Sequence, residues 1–100
     1  MNYFISYDIG KDKLRLKVSK TLERFGCKRV QYSVFFAPDF APKEIERLRD
    51  ALVKVMKGVG EQTDSVLCMA VEEKYMGKLH WVGENVGVKK SLEKPLNKLF

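Results

Sequence analysis

Lys28-Arg-Val-Gln-Tyr-Ser-Val-Phe-Phe-Ala37 is the stretch that decides the fold, because its subdivision sets the number of strands. Val30, Tyr32, Val34 and Phe36 alternate with Gln31, Ser33 and Phe35, the two-residue period of β structure. No turn dipeptide such as Asn-Gly divides it. From its residues alone it is either one bent strand or two short ones.

Upstream, Asn2-Tyr-Phe-Ile-Ser-Tyr-Asp-Ile9 is rich in aromatic and β-branched residues and stops at Gly10, which predicts a strand. Asp12 is placed to cap a helix running to about Phe25, with Gly26 in the usual terminating position. Leu14, Val18, Leu22 and Phe25 share one face of that helix, and Lys13, Lys17, Lys20 and Arg24 share another, roughly 120 to 130° away. The stripe is either a solvated outer face or a binding surface, and the scarcity of interleaved acids, with only Glu23 breaking the basic run, favours binding. Downstream, Pro38 and Pro42 lead into a second helix carrying Ile45, Leu48, Leu52, Val55 and Met56 at helical spacing and ending at Gly58. Ala41 is a poor cap, so this helix is expected to start less crisply. Ser65-Val-Leu-Cys-Met-Ala-Val71 is apolar at nearly every position and reads as a buried central strand. Beyond Glu72 the pattern weakens. Leu79-His-Trp-Val82 reads as a short edge strand, and Lys89 to Phe100 as a basic tail in which Pro95 limits helix.

The order is α+β. If the Lys28–Ala37 region is split, it becomes βαββαβ, the ferredoxin-like sandwich with both helices on one sheet face and an extra C-terminal strand or tail. Residues 1–78 are then the folded domain, and 79–100 an edge strand and tail belonging to the same domain or to a dimer interface.

One hundred residues, 45% hydrophobic and 32% charged, are enough for one core. A domain of this size buries only ~60–70% of the surface its unfolded chain exposes, so self-association would add needed stability. No run approaches the ~20 apolar residues of a membrane span. Asp8 interrupts the early apolar run before a secretory signal can form. Cys27 and Cys68 lack zinc or disulfide spacing, which points to a reducing cytoplasm; both read as structural, Cys68 as a buried small hydrophobe. Nineteen Lys and Arg against thirteen Asp and Glu give a net charge of +6, a bias toward polyanions such as nucleic acid.

Catalytic options are few. There is one histidine, no Gly-rich phosphate loop and no nucleophile elbow, and His80 reads as a packed or solvated side chain. Asp8 stands at the carboxyl end of the first strand, where sheets commonly present site residues. Its competing role is turn chemistry, bonding to the backbone of Ile9 or Gly10.

Ile5-Ser-Tyr-Asp-Ile-Gly-Lys-Asp12, the basic helix, Gly26, Arg29-Val-Gln-Tyr-Ser-Val-Phe35 and the Pro-led helix occur in an order and spacing that resembles the smaller of the two core CRISPR spacer-acquisition proteins. The resemblance implies a ferredoxin-like protomer with the middle β region split, paired as a symmetric homodimer. Lys78 to Gly83 and the residues beyond would then add a strand to the partner's sheet. It also implies that the family's characteristic acid is Asp8, and that two copies of Asp8 share a Mg²⁺ across the twofold. Tyr7, Arg15, Arg29 and Phe35 fall on family positions tied to activity. Lys17 occupies a position where the family favours Arg, keeping the charge but losing the bidentate fork.

The expected nucleic-acid contacts are Lys13, Arg15, Lys17, Lys20, Arg24 and Arg29, with Tyr7 and Phe35 shaping the site. Two roles follow from the resemblance. One is a Mg²⁺-dependent endonuclease cutting RNA or double-stranded DNA. The other is a dimeric scaffold that sits between copies of the larger integrase protein and holds a prespacer duplex; this is the expected cellular role. A ferredoxin-like RNA-binding module or a toxin-like ribonuclease of similar fold are the alternatives, the first lacking the aromatic signature of an RRM central strand.

Overall fold

Strands with a two-residue apolar period and helices with an apolar stripe hide both sets of side chains by stacking in layers. The computed structural model describes residues 1–80, 82 and 83. In chain order these form β1 (Asn2–Asp8), α1 (Asp12–Arg24), β2 (Lys28–Gln31), β3 (Val34–Ala37), α2 (Pro42–Met56), β4 (Ser65–Val71) and a short α3 (Glu73–Met76). The sheet order is β2-β3-β1-β4, with every neighbouring pair antiparallel. β1 and β2 therefore run in the same direction with β3 between them, and β3 and β4 do so across β1. These are the two interlocked split βαβ units of the ferredoxin-like fold.

The Lys28–Ala37 region is split at Tyr32-Ser33, and the simple alternation fails there. Arg29 and Gln31 pair with the consecutive residues Phe35 and Val34, so β2 carries a bulge at Val30. Tyr32 is 71% exposed at the turn, and Phe35 and Phe36 are both wholly buried although they point to opposite faces. Phe35 lies under the helices in the main core with Ile5, Tyr7, Leu14, Val18, Leu22, Leu48 and Leu52. Phe36 belongs to a second cluster on the other face, with Val30 and Met76. Burying a leucine such as Leu22 or Leu48 completely contributes ~1.5–3 kcal/mol.

Several expectations are corrected. The N-cap of α1 is Lys11, one residue before Asp12, and it makes no side-chain capping bond. The helix ends as expected at Gly26, whose φ of 87° closes a Schellman motif: the Cys27 N–H donates to the Leu22 carbonyl and the Gly26 N–H to that of Glu23. Ala41 has no side-chain acceptor, yet α2 starts cleanly. The Glu44 N–H donates to the Ala41 carbonyl at 2.9 Å, and the Glu44 carboxylate accepts from the Ala41 N–H at 3.2 Å.

Among the described residues β4 is an edge rather than a central strand: it pairs with β1 alone, its inward residues Val66 and Cys68 packing on the main core while Leu67 and Met69 are 63% and 54% exposed. An apolar strand needs cover on both faces, and among the described residues the chain supplies it on one. Cys68, on the inward face beside a depression lined by α2, is half-buried rather than buried. Leu79 and His80 lie outside any strand, because α3 turns the chain back so that Met76 seals the second cluster. Trp81 and the expected tail from Lys89 to Phe100 lie outside the described residues.

Two glycine substitutions separate backbone conformation from packing. Both Gly26 and Gly77 have nothing within 4 Å of an added Cβ, but only Gly26 has a positive φ. Gly26→Ala is expected to lower stability by ~1–2 kcal/mol in urea unfolding. Gly77→Ala should leave it unchanged or raise it by up to ~1 kcal/mol.

Candidate functional site

Strand alternation divides the end of β1 between two surfaces. Tyr7 points into the helix-side core, and Asp8, paired in register with Ser65, belongs to the opposite face with Phe4 and Ser6. Asp8 is exposed, and its carboxylate accepts no hydrogen bond and forms no ion pair among the described residues. The turn chemistry that could have occupied it is performed by Asp64. The Asp64 carboxylate accepts the Gly10 N–H at 3.0 Å and the Glu61 N–H at 2.7 Å, while Lys11 and Glu61 approach to 3.9 Å. This clips the β1–α1 loop to the α2–β4 loop. The Glu61 N–H, then the Gly10 N–H, and then the Lys11 charge hold the Asp64 carboxyl below the usual aspartate range.

On the helix side, one carbonyl organises the group. The Tyr32 carbonyl accepts the Tyr7 hydroxyl at 3.3 Å and Nη1 of Arg29 at 3.0 Å, and the Ser33 carbonyl accepts the Tyr7 N–H at 3.0 Å. The register that pairs Arg29 with Phe35 lays the guanidinium 5.0 Å from the Phe35 ring centroid and 6.0 Å from that of Tyr32. The Tyr7 and Phe35 rings are 6.2 Å apart. Across a depression lined also by Leu16 and Ser19, α1 contributes Arg15, which is ion-paired with Asp12.

Lys13, Lys17, Lys20 and Arg24 are all exposed along α1. Among the described residues none of the three lysines forms an ion pair, and Arg24 donates to the Thr21 hydroxyl at 3.4 Å. The stripe is therefore unneutralised positive surface. The sequence-predicted residues thus fall in three places: Tyr7, Arg15, Arg29 and Phe35 together; the lysines and Arg24 along the helix; and Asp8 on the other face. Phe35 is wholly buried, so within one chain it acts as the floor beneath Arg29 rather than as a contact.

Sequence reasoning missed Tyr32 and Asp64. Tyr32 looked like one more member of an alternating strand, and Asp64 has no local signal because its partner Gly10 is remote in the chain.

Both cysteines are held toward the protonated thiol. Burial, and secondarily Cys68, pushes the Cys27 thiol up to about 12, and burial raises Cys68. His80 is exposed. Among the described residues no cluster of three or more His, Cys, Asp or Glu is arranged to hold a metal. At the end of β1 the described residues bring one free carboxylate, that of Asp8, which fits a Mg²⁺ only if a second copy, water and phosphate oxygens complete the shell.

The fold and site define a class: a ferredoxin-like α+β protein with a basic helix on one side of its sheet and an exposed acid, Asp8, at the end of β1 on the other. Residues 1–79 match the family described as CRISPR associated protein Cas2, and the chain belongs to that family. It is 36% identical over 74 residues to a CRISPR-associated endoribonuclease Cas2 of Desulforudis audaxviator, covering 74% of this chain and 66% of that protein. It is also 36% identical over 80 residues to an endoribonuclease of the same name from Methanospirillum hungatei, covering 80% and 83%. Among solved structures, Streptococcus pyogenes Cas2 superposes with a TM-score of 0.67 at 21% identity, covering 83% of this chain and 100% of that one; this likeness bears on the fold alone. A hypothetical protein of Thermus thermophilus superposes at 0.62 with 27% identity, covering 71% and 80%.

The Asp64 clip gives a pH prediction. A carboxyl held below its unfolded value stabilises the fold above the unfolded pKa, and that contribution is lost as pH falls through the folded one. Asp64→Asn should therefore lower the urea midpoint at neutral pH, and the gap from wild type should close below the ordinary aspartate range. A gap that stays constant on acidification would show that the carboxylate charge is not what holds the loops.

Proposed function

We propose that the protein acts as a homodimer that holds nucleic acid during CRISPR spacer acquisition, as a scaffold between copies of the larger integrase protein. The observation that carries this reading is an apolar face left open among the described residues: Leu67 and Met69 stand 63% and 54% exposed on β4, beside the half-buried Phe4 and Val34, and Asp8 belongs to that same face. A second copy docked there by a twofold covers the apolar side chains and brings two Asp8 carboxylates onto one surface. It also doubles the net charge of +6 and leaves both α1 stripes outward, where a duplex backbone is held by Lys13, Lys17, Lys20 and Arg24. Arg15 and Arg29 add phosphate contacts, and Tyr7 and Phe35 keep Arg29 in place.

A second reading, phosphodiester cleavage, is favoured by the free carboxylate of Asp8 and by the endoribonuclease names of the relatives. The Asp8 pair would hold the Mg²⁺. When bound, such an ion supplies an activated water and offsets phosphodiester charge.

Leu67→Lys should convert a dimer to a folded monomer in sedimentation. A dimer that persists in Leu67→Lys/Met69→Lys removes the open face as the interface. Replacing Lys13, Lys17 and Lys20 with Glu should weaken duplex binding and flatten its salt dependence by about 0.9 per lost phosphate contact on a log–log plot. Unchanged affinity at low salt overturns the α1 surface. Asp8→Ala separates the two readings: abolished Mg²⁺-dependent cleavage with intact integration leaves a scaffold, and loss of both defeats the scaffold reading.

A further inference from the structure

Tyr32 has no part in the phosphate contacts assigned above, and its setting is that of a mounted surface rather than a loose turn residue. The residue is 71% exposed, yet its backbone is held by two donors on one carbonyl, from Tyr7 and Arg29, with the Tyr7 N–H fixing the adjacent Ser33 carbonyl. The Arg29 guanidinium lies 6.0 Å from the ring centroid and is itself seated 5.0 Å from the Phe35 ring. Arg15 and the 55% exposed Leu16 line the same depression. The Tyr32 hydroxyl makes no hydrogen bond among the described residues, so its polar tip is not what holds the ring.

An exposed aromatic face with two guanidinium-bearing side chains in the same depression matches a flat π-system tethered to an anion. Resting on the proposal that nucleic acid lies along α1, we infer that Tyr32 is a stacking platform for an unpaired nucleobase, with Arg15 and Arg29 receiving the phosphates flanking it. The base has to be unpaired, because inside a duplex both its faces are covered by its neighbours. Stacking on an aromatic ring tolerates any base, so this site reads the presence of a single-stranded segment or frayed end and not its sequence. The protein therefore distinguishes a duplex with single-stranded extensions from a blunt one.

Affinities of the full-length protein for a blunt duplex, the same duplex with thymidine overhangs, and a thymidine homo-oligonucleotide are measured by fluorescence anisotropy at fixed salt. Wild type should prefer the overhang duplex to the blunt one. Tyr32→Ala should lose about 5- to 150-fold in affinity for the homo-oligonucleotide, and its preference for overhangs, with blunt-duplex affinity unchanged. Tyr32→Phe should behave as wild type because the ring face and not the hydroxyl makes the contact, and the unchanged blunt-duplex affinity of Tyr32→Ala excludes a misfolded turn as the cause. Overhang preference surviving in Tyr32→Ala, or equal losses for blunt and overhang duplexes, overturns the platform while leaving duplex binding by α1 intact. Wild-type protein that binds none of the three probes overturns the platform and the nucleic-acid role together.

Discussion

A four-stranded sheet has two faces, and the two long helices of this chain cover one of them. On β1 the two-residue period sends Ile5 and Tyr7 beneath the helices and Phe4, Ser6 and Asp8 to the other side. That other side is covered unevenly. Near β2 and β3, Met76 packs on Val30 and Phe36, but toward β4 the described residues leave Leu67 and Met69 exposed. Burying a Leu or Met from full exposure is worth ~1.5–3 kcal/mol, so two from each of two chains contribute at most ~6–12 kcal/mol. Immobilising two molecules costs ~4–15 kcal/mol, so apolar contact alone sits near balance. The backbone edge that β4 leaves unpaired among the described residues is the other resource available to a partner.

The helix-side cluster depends on a smaller element, the carbonyl of Tyr32. With two lone pairs it receives one donor from β1 and one from β2. Tyr7, Arg29 and the turn are thereby fixed to one another without a glycine or asparagine in the turn. This gives Phe35 a part in the site although it never reaches the surface: its ring is the floor on which the Arg29 guanidinium rests.

Local signals in the sequence reported local structure well. The Gly26 stop, the Pro42 start and the apolar stripes of both helices are properties of neighbouring residues, and they appear where the residues place them. What depends on remote contacts was less legible. The Tyr32-Ser33 turn is stabilised largely from β1, so the segment itself lacks turn chemistry. Ser65–Val71 is apolar enough to require cover, but apolarity does not say whether that cover is a neighbouring strand, the same chain or another copy. The basic stripe was legible as a periodicity. The separation of Asp8 from Tyr7 and Arg29 required the sheet faces to be known. Asp64 and Gly10 are fifty-four positions apart, and nothing near either announces the bond.

The register of β1 also governs how the chain assembles during synthesis. β1 is made before the other three strands and ends as an inner strand, yet one of its two neighbours, β4, spans residues 65–71. Pairing across that separation closes a long loop before it is rewarded by contacts. At ~5–20 residues per second, the ribosome leaves β1 with one side unpaired for seconds after β3 has emerged. During that interval the backbone of β1 is itself an exposed edge, carrying Tyr3, Phe4 and Ile5. The nascent protein is thus most open to mispairing through the strand that the finished sheet encloses.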